Sequence, residues 1–341
     1  MKVLAVSNAF PTPELTAQGI YNWREVLALR RLGVEVEEFR STFRREFGNS
    51  WNEFRSRIRE SRPDLVNVYA GSIGAFAASL ACPVPLVMTF GGPDLLGPAK
   101  KDRLSERGVG VMAVMFSQVA VPNADALVVR SPQLRGRLLR ARDRRRAHVI
   151  STGVDTDLFR PCDRGMARRE VGWPEQETIV LFGASRRRPI KRFDRAVAAV
   201  ERLSRRGLSA RLESCEDVPP ARMPLYLNAA DCLLLTSQHE GSPNIVKEAA
   251  ACGCPVVSVP VGDVADILRG VTPGGLAAPD PESLAAGLYE TLASRRRSNG
   301  PDRVRESYAL TLTARRVRQV YEDALSAWRS GRRHGWRVLH R

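Results

Sequence analysis

Several residue types and sequence features are scarce in this chain, and each shortage excludes a class of protein. Aromatic residues make up only 6% of the 341 residues, which argues against a protein that stacks single-stranded bases on interleaved aromatic rings. No apolar run approaches the roughly eighteen residues of a membrane-spanning helix, and no signal-peptide core follows Met1. We therefore expect a soluble, cytoplasmic protein.

Cysteine and histidine are also few. The six cysteines have neither zinc-site nor disulfide-framework spacing, so we interpret them as reduced and structural. No Gly-x-Ser-x-Gly elbow, His-Glu-x-x-His helix or Walker phosphate loop is present, which argues against the corresponding hydrolases, metalloproteases and nucleotidases. The sequence predicts neither a metal site nor a cofactor.

Acidic residues are fewer than basic ones, 37 against 53, and the net charge is +16. Only five of the basic residues are lysine, and a GC-rich genome would impose such an arginine skew without selection for binding. The total charge therefore does not by itself indicate a nucleic-acid partner. The basic clusters, which also suit solvated helix faces, are at 135–146, 185–192, 294–298 and 329–341.

The basic segment 329–341 allows two interpretations. Its arginines alternate with apolar residues and with Trp336, a combination that suits peripheral contact with an anionic membrane surface. Gly331 and Gly335 would interrupt any helix there, and a frayed, solvated terminus explains the segment equally well.

Short β-branched runs alternate with helical stretches along the whole chain, a pattern typical of parallel sheets in α/β proteins. The alternation occurs twice, which predicts two Rossmann-like α/β domains facing each other across a ligand-binding cleft. The predicted organisation is an N-terminal domain at 1–154, a linker at 155–176, a C-terminal domain at 177–301, a single terminal helix at 302–328 that packs back on the first domain, and the tail at 329–341.

One motif in the second domain carries specific chemistry. In HEGSPNIVKEAAACGCPVV, residues 239–257, Glu240 and Glu248 lie on either side of a predicted helix start at Pro243. A helix start presents free N–H groups and partial positive charge, and therefore suits a phosphate, while carboxylates accept hydrogen bonds from paired hydroxyls. The motif predicts a ligand that carries both phosphate and hydroxyl groups.

This motif and several other segments of the sequence resemble glycosyltransferase family 4. Members of that family have the two-domain GT-B fold and transfer a sugar from a nucleotide donor with retention of configuration. The resemblance is carried by residues 18–36, 149–161, 223–268 and 274–288, and the two glutamates in their context are its most specific part. It implies a metal-independent hexosyltransferase that uses a nucleotide-diphosphate sugar, a UDP-sugar by our interpretation. The acceptor would bind to the domain at 1–154 and the nucleotide sugar to the domain at 177–301. The similar members build bacterial surface polysaccharides, so the implied acceptor is a saccharide, a lipid-linked molecule or a small molecule.

The resemblance also implies roles for individual residues. Glu240 would contact the donor sugar, and Arg186 and Lys191 would stabilise the departing diphosphate, although neighbouring arginines leave the register of Arg186 open by one residue. Glu248 would accept hydrogen bonds from the ribose. The remaining donor-binding residues would be Gly19, Gly241, Ser242, Pro243, Asn244 and Ile245.

The chain departs from the family pattern in the loop after its fourth strand. Many relatives carry a histidine where TFGGPDLLG has Gly91, which puts the family's loop contact with the donor sugar in question here. Asp94 is retained and would position either the acceptor or the loop. Asp155 and Asp157 have the spacing of a metal-binding aspartate pair, but they lie at the domain junction, and we interpret them as a turn.

Two other functions fit the same features. A sugar-nucleotide epimerase would share the fold and the donor site but need further acid–base groups around the sugar. A non-catalytic basic module that binds nucleotides or nucleic acid would explain the arginines but leave the Glu240 motif without a role. We expect no nucleic-acid partner.

Overall fold

Two separate parallel sheets form the framework of this chain, each within its own unit. The structure is a computed structural model that describes residues 1–11, 19–40, 47–69, 71–97 and 104–332. Unit 1 comprises Met1–Thr152 together with the segment from Leu310, and unit 2 comprises Gly153–Ala309. The chain thus enters unit 2 from unit 1 and returns to unit 1 at its end.

Unit 1 is built on a six-stranded sheet in the order β2-β1-β3-β4-β5-β6, and all of its strand pairs are parallel. Helices cover both faces, so β3 and β4 are buried along their whole length and consist mainly of apolar residues. The elements are β1 Lys2–Ser7, α1 Ile20–Arg31, β2 Glu35–Arg40, α2 Phe47–Ser61, β3 Leu65–Tyr69, α3 Ser72–Ala81, β4 Leu86–Phe90, α4 Pro93–Leu96, α5 Leu104–Ala120, β5 Ala126–Val129, α6 Pro132–Gly136, α7 Ala141–Arg146 and β6 Ala147–Val149.

Unit 2 repeats this architecture with a five-stranded parallel sheet in the order β11-β10-β9-β7-β8. An apolar core lies on each side of the sheet. The elements are α8 Arg164–Val171, β7 Ile179–Phe182, α9 Phe193–Arg205, β8 Arg211–Ser214, α10 Met223–Ala229, β9 Cys232–Leu235, α11 Asn244–Ala251, β10 Val256–Ser258, α12 Val264–Ile267, β11 Gly274–Leu276, α13 Pro281–Ala293 and α14 Gly300–Ser307.

The segment predicted as one terminal helix is divided in the structure. It forms α14, in unit 2, and α15 Leu310–Arg329, which packs on α1, β4 and β5 of unit 1. The break occurs because the backbone of Tyr308 turns to pair with another segment: its carbonyl accepts a 2.8 Å hydrogen bond from the Val154 amide, and Ala309 bridges to Val154. No Gly or Pro marks this break, so the apolar pattern of 302–328 runs through it.

The predicted linker at 155–176 also contains regular structure. Helix α8 packs against α10, and its Arg168 is fully buried. The Arg168 guanidinium donates to Asp231 Oδ2 at 2.6 Å and to the Ala229 carbonyl at 2.9 Å. The segment is therefore part of unit 2 and not a free connection. The long-range contacts of Arg168 that hold it there are not indicated by its Gly, Asp and Pro content.

A buried polar network ties α15 into the core of unit 1. Asn67 Nδ2 donates to the Tyr321 hydroxyl at 2.7 Å, and Thr89 Oγ1 donates to Asn67 Oδ1 at 3.0 Å. Burial raises the pKa of Tyr321, so its hydroxyl stays protonated. Nearby, Arg130 and Glu25 form a buried ion pair at 2.9 Å.

Within the described ranges, no helix has the length and apolar character needed to cross a membrane.

Candidate functional site

The loops that follow β7 and β9 meet at the carboxyl end of the unit 2 sheet. The Thr236 hydroxyl, just after β9, donates at 2.9 Å to the carbonyls of Lys191 and Arg192. The Gln238 amide donates to the Ile190 carbonyl at 2.9 Å. These bonds fix the backbone of the loop after β7 against the loop that carries the first glutamate of the motif.

Lys191 and Glu240 form an ion pair at the junction of these loops. Lys191 Nζ lies 2.6 Å from Glu240 Oε1, and the two side chains are only 15% and 14% exposed. Partial burial strengthens such a pair relative to an exposed one, and both groups stay reachable by a ligand. The pair places a carboxylate and an ammonium group next to each other at the end of the sheet.

The start of α11 is open to an anion. Pro243 occupies its N-cap position and no side chain caps it, while the first turn carries no acidic residue. Gly262 lies against the turn before the helix, where an added Cβ would come within 2.9 Å of the Gly241 carbonyl oxygen. Gly262 therefore lets the backbone before α11 pack closely, and the free N–H groups at the start of the helix suit a phosphate.

A buried lysine that sequence reasoning missed supports this turn. Lys247 is fully buried, and its Nζ donates to Ser242 Oγ at 2.9 Å. Ser242 Oγ in turn donates to the buried Asp263 Oδ2 at 2.8 Å. The apolar residues Ile245, Val246 and Ala249 to Ala251 around this lysine were the available signal for a buried cation.

Glu248 lies on α11 four residues after Asn244 and is 3% exposed. Its carboxylate lies close to Cys215, which comes just after β8. Burial of the Cys215 thiol, and secondly the negative charge of Glu248, raise the pKa of Cys215 to about 12. Ile245 packs towards Gly183, where a Cβ would meet its side chain at 3.1 Å. The glutamate, the open helix start and the ends of β7 and β8 therefore lie in one region.

Arg186 takes a partner that the sequence did not indicate. Its Nε donates to Glu216 Oε2 at 3.0 Å, and Arg187 Nε pairs with Glu216 Oε1 at 3.1 Å. The hydrogen bond from Arg186 is the largest of the effects that lower the pKa of Glu216. Both arginines are exposed and pair with the same carboxylate.

In unit 1, Gly19 and Asp94 have specific structural requirements. Gly19 has φ +64°, and a Cβ there would come within 1.2 Å of the Ala9 carbonyl oxygen, so only glycine fits at the start of α1. Asp94 is buried, and its oxygens accept hydrogen bonds from the amides of Gly71 and Gly92, each at 2.8 Å. It joins the loops after β3 and β4. Gly91 is exposed with open space around its Cα.

Asp155 occupies a turn. Its Oδ1 accepts hydrogen bonds from the amides of Asp157 at 3.1 Å and Leu158 at 3.2 Å, which is the geometry of an Asx turn. In the part of the chain that the structure describes, no three His, Cys, Asp or Glu side chains are grouped as metal ligands.

Comparison with known proteins adds family evidence to this geometry. The model described as Glycosyltransferase Family 4 matches residues 7–158, and the model described as Glycosyl transferases group 1 matches residues 173–294. The D-inositol 3-phosphate glycosyltransferase of Thermobispora bispora is 29% identical to this chain over an alignment of 285 residues. The alignment covers 71% of this chain and 66% of that relative, so part of the relative is not matched by this chain.

Solved structures share the fold over almost the whole chain. Sucrose-phosphate synthase from Thermosynechococcus elongatus has a TM-score of 0.77 at 19% identity, with 96% of this chain and 100% of that chain covered. HepE of Anabaena, solved in complex with UDP and glucose, has a TM-score of 0.68 at 17% identity, with 95% and 100% covered. At these identities the likeness establishes the fold.

The predicted fold class of two α/β Rossmann-like domains is therefore confirmed, as is the resemblance stated from the sequence. One family model covers most of the first unit, and the other covers the part of the second unit that holds the Lys191–Glu240 pair and α11. The chain belongs to the glycosyltransferases of the family 4 type.

Proposed function

We propose that the protein is a retaining glycosyltransferase that takes a UDP-sugar and transfers its hexose to a saccharide, lipid-linked or small-molecule acceptor without a metal ion. The observation that carries the proposal is the Lys191–Glu240 pair beside the uncapped start of α11. The bound UDP named for the Anabaena neighbour supports the choice of base and diphosphate.

Each group has a role that follows from its chemistry. The N–H groups at the start of α11 hold the diphosphate, together with the neighbouring Gly241, Ser242 and Ile245. Lys191 stabilises the charge that develops on the leaving diphosphate, which replaces the metal ion used by other enzymes. Arg186 also stabilises the diphosphate, once a phosphate oxygen replaces Glu216 as its hydrogen-bond partner.

The two glutamates bind hydroxyl groups. Lys191 occupies Oε1 of Glu240, so Oε2 is the oxygen that we assign to a hydroxyl of the donor sugar. Glu248, one helical turn beyond Asn244, accepts the hydrogen bonds of the ribose.

We assign acceptor binding to unit 1. Gly19 lets α1 begin against the backbone after β1, and Asp94 holds the two loops at the carboxyl ends of β3 and β4. Because Gly91 offers no side chain where many relatives have a histidine, the sugar contact of that loop must come from other groups. The predicted contact of the tail at 329–341 with a membrane depends mainly on residues 333–341, which lie outside the described ranges.

The test is a screen of sugar nucleotides. UDP and UDP-sugars should raise the melting temperature in proportion to the logarithm of concentration, and slow hydrolysis of one donor should release UDP. Activity should survive EDTA. Loss of activity that magnesium or manganese restores would overturn the metal-independent mechanism and return attention to Asp155 and Asp157.

An acceptor trial then separates the candidate activities. An inositol phosphate is the first acceptor to test, because the Thermobispora relative is named for it. Transfer of the sugar supports the proposal, with retention read from the anomeric configuration of the product. Formation of an epimer from donor alone would identify a sugar-nucleotide epimerase instead, and nucleic-acid binding without any effect of UDP would identify a basic binding module.

A further inference from the structure

The outward face of α5 carries apolar side chains where a surface helix normally carries charged ones. Residues 108–120, GVGVMAVMFSQVA, contain no charged residue at all. Four large side chains of this segment are between 50% and 62% exposed: Val111, Met112, Met115 and Val119. Their spacing of one, three and four residues places them on a single face of the helix.

The opposite face of α5 is the one that holds the helix in unit 1. The ring of Phe116 lies 5.3 Å from that of Phe76 on α3, and Ala120 is fully buried. The helix is thus anchored by one apolar face and exposes a second one. Packing within unit 1 does not account for the second face.

The loop after α6 extends this exposed face. Leu139 is 74% exposed, and its amide donates to Gln118 Oε1 at 3.1 Å, while Gln118 Nε2 donates to the Arg137 carbonyl at 2.9 Å. Gln118 lies between Met115 and Val119 in the sequence of α5, so these bonds hold Leu139 at the end of the same face. We call Val111, Met112, Met115, Val119 and Leu139 the α5 patch.

Arginines border the α5 patch on the side of this loop. Arg135, Arg137 and Arg140 are exposed, and among the residues that the structure describes none of the three pairs with a carboxylate. The one acid of segment 135–146, Asp143, is buried and pairs with Arg146 at 2.8 Å. Within segment 135–146 the border is therefore positively charged, since its one acid is already paired with Arg146.

We propose that the α5 patch and its arginine border dock on the surface of an anionic phospholipid membrane. Methionine and valine side chains would enter the boundary of the acyl chains, where their burial is favourable. The arginines would meet lipid phosphates, to which guanidinium groups bind in a bidentate manner. Neither the α5 patch nor its arginine border includes a residue of the proposed donor site in unit 2. The docking proposal therefore does not depend on the proposed glycosyltransferase activity.

A second copy of this chain is the main alternative occupant. A symmetric dimer places the same surface on both partners, and a residue away from the two-fold axis then faces a different residue of the partner's copy. Because segment 108–120 contains no charged residue, such a dimer would offer the arginines no carboxylate from this part of α5. Stable dimers bury about 800 Å² per partner, so arginines that border the patch would lose water without gaining an acidic partner from this segment. An anionic surface satisfies the same charges, and for this reason the membrane is favoured.

Flotation of the full-length chain with vesicles tests the proposal. The chain should float with vesicles of phosphatidylcholine and phosphatidylglycerol in equal parts, and weakly or not at all with phosphatidylcholine alone. Replacing Met112, Met115 and Val119 together by Ser should weaken binding by about tenfold or more. Arg137→Gln with Arg140→Gln should weaken it by about fivefold per arginine at low salt, and added salt should remove this difference.

The matched control replaces exposed apolar residues of unit 2, Met166 and Leu276, by Ser, and should float as the parent chain does. All variants must keep the parent's melting temperature and its response to UDP, which separates loss of docking from misfolding and from failure of the proposed donor site. Equal flotation of the triple variant, or no flotation of the parent chain, overturns the proposal. A dimer that the triple variant loses, without vesicle binding, would assign the patch to a second copy.

A chain ending at Arg332 separates this surface from the basic tail. It should float as the full chain does if the α5 patch carries the docking. Loss of flotation on this shortening alone would assign the membrane contact to the tail and overturn the role of α5.

Discussion

At the residue scale, Lys191 is the group on which the proposed chemistry depends most. Its ammonium is balanced by Glu240 before any ligand binds, and both side chains are mostly buried. The cation is therefore held in place when the diphosphate begins to leave and costs little reorganisation at that moment. An exposed lysine would have to be ordered first.

We expect Lys191→Ala to lower kcat by about 10²-fold to 10³-fold while KM for the donor changes by less than about tenfold, because its charge is needed most in the transition state. Steady-state kinetics with varied donor checks this. Arg188→Ala, an exposed arginine of the same loop, is the control and should leave kcat unchanged. Preserved turnover with a loss of donor affinity alone would reduce Lys191 to a binding role.

Glu248→Ala should weaken UDP binding by roughly tenfold to a hundredfold, since hydrogen bonds to charged groups contribute about 1.5–3 kcal/mol. Calorimetric titration with UDP measures this, and Glu290→Ala on the exposed side of α13 is the control. An unchanged UDP affinity in a folded Glu248→Ala protein would contradict the ribose assignment.

The sequence predicts some of these residue contacts and not others. The roles of Lys191 and Glu240 followed from family resemblance, and the structure brings the two side chains together. The capture of Arg186 by Glu216 links residues 30 positions apart, and such pairing leaves no local pattern. Lys247 was missed for a different reason: a lysine in a helix is normally solvated, and only its apolar neighbours indicated burial.

At the element scale, α11 depends on a buried polar support for the turn that precedes it. Lys247, Ser242 and Asp263 form a chain of hydrogen bonds from the second turn of the helix to the loop after β10. The Gly241–Ser242 turn is thereby held in one conformation, with the N–H groups of the helix start in position. We infer that Lys247 is a positioning residue for the phosphate site.

Lys247→Met should therefore lower UDP affinity by about tenfold and lower the free energy of unfolding by about 1–3 kcal/mol, because the Ser242 hydroxyl loses a buried donor. Calorimetric titration and denaturant unfolding measure the two effects separately. Reduced stability with unchanged UDP affinity would show that the lysine serves the fold alone.

Element prediction succeeded where apolar runs are dense. Strands such as β3, β5, β7 and β9 follow β-branched or leucine-rich runs, whereas β11 consists of Gly274, Gly275 and Leu276 and was not predicted. A short edge strand with two glycines has little intrinsic preference and forms because it pairs with β10. The division between α14 and α15 was missed for a similar reason, since backbone pairing with Val154 decides it.

At the scale of the whole molecule, unit 1 is discontinuous in sequence and unit 2 is continuous. Helix α15 supplies the last part of the unit 1 core, with buried side chains that include Leu310, Val317, Val320 and Tyr321. At about 1.5–3 kcal/mol for each large apolar side chain, their burial is comparable to the total stability of a domain.

Removal of α15 should therefore unfold unit 1 and spare unit 2. In a chain that ends at Ala309, hydrogen exchange should show loss of protection in β1, β3 and β4 and retained protection in β7 and β9. A chain that ends at Arg332 is the control and should keep both sets protected. Protection of β3 and β4 in the shorter chain would show that the sheet is stable without its last helix.

The discontinuity of unit 1 has a consequence for biosynthesis. A ribosome releases the chain from the amino end, so the sheet of unit 1 emerges first but waits for α15 until unit 2 has been made. Unit 2 can complete its fold as soon as Ala309 has left the exit tunnel. The half of the protein that begins second should thus be the first to reach its native state, and during that interval the nascent chain exposes the surface of β4 and β5 that α15 later covers.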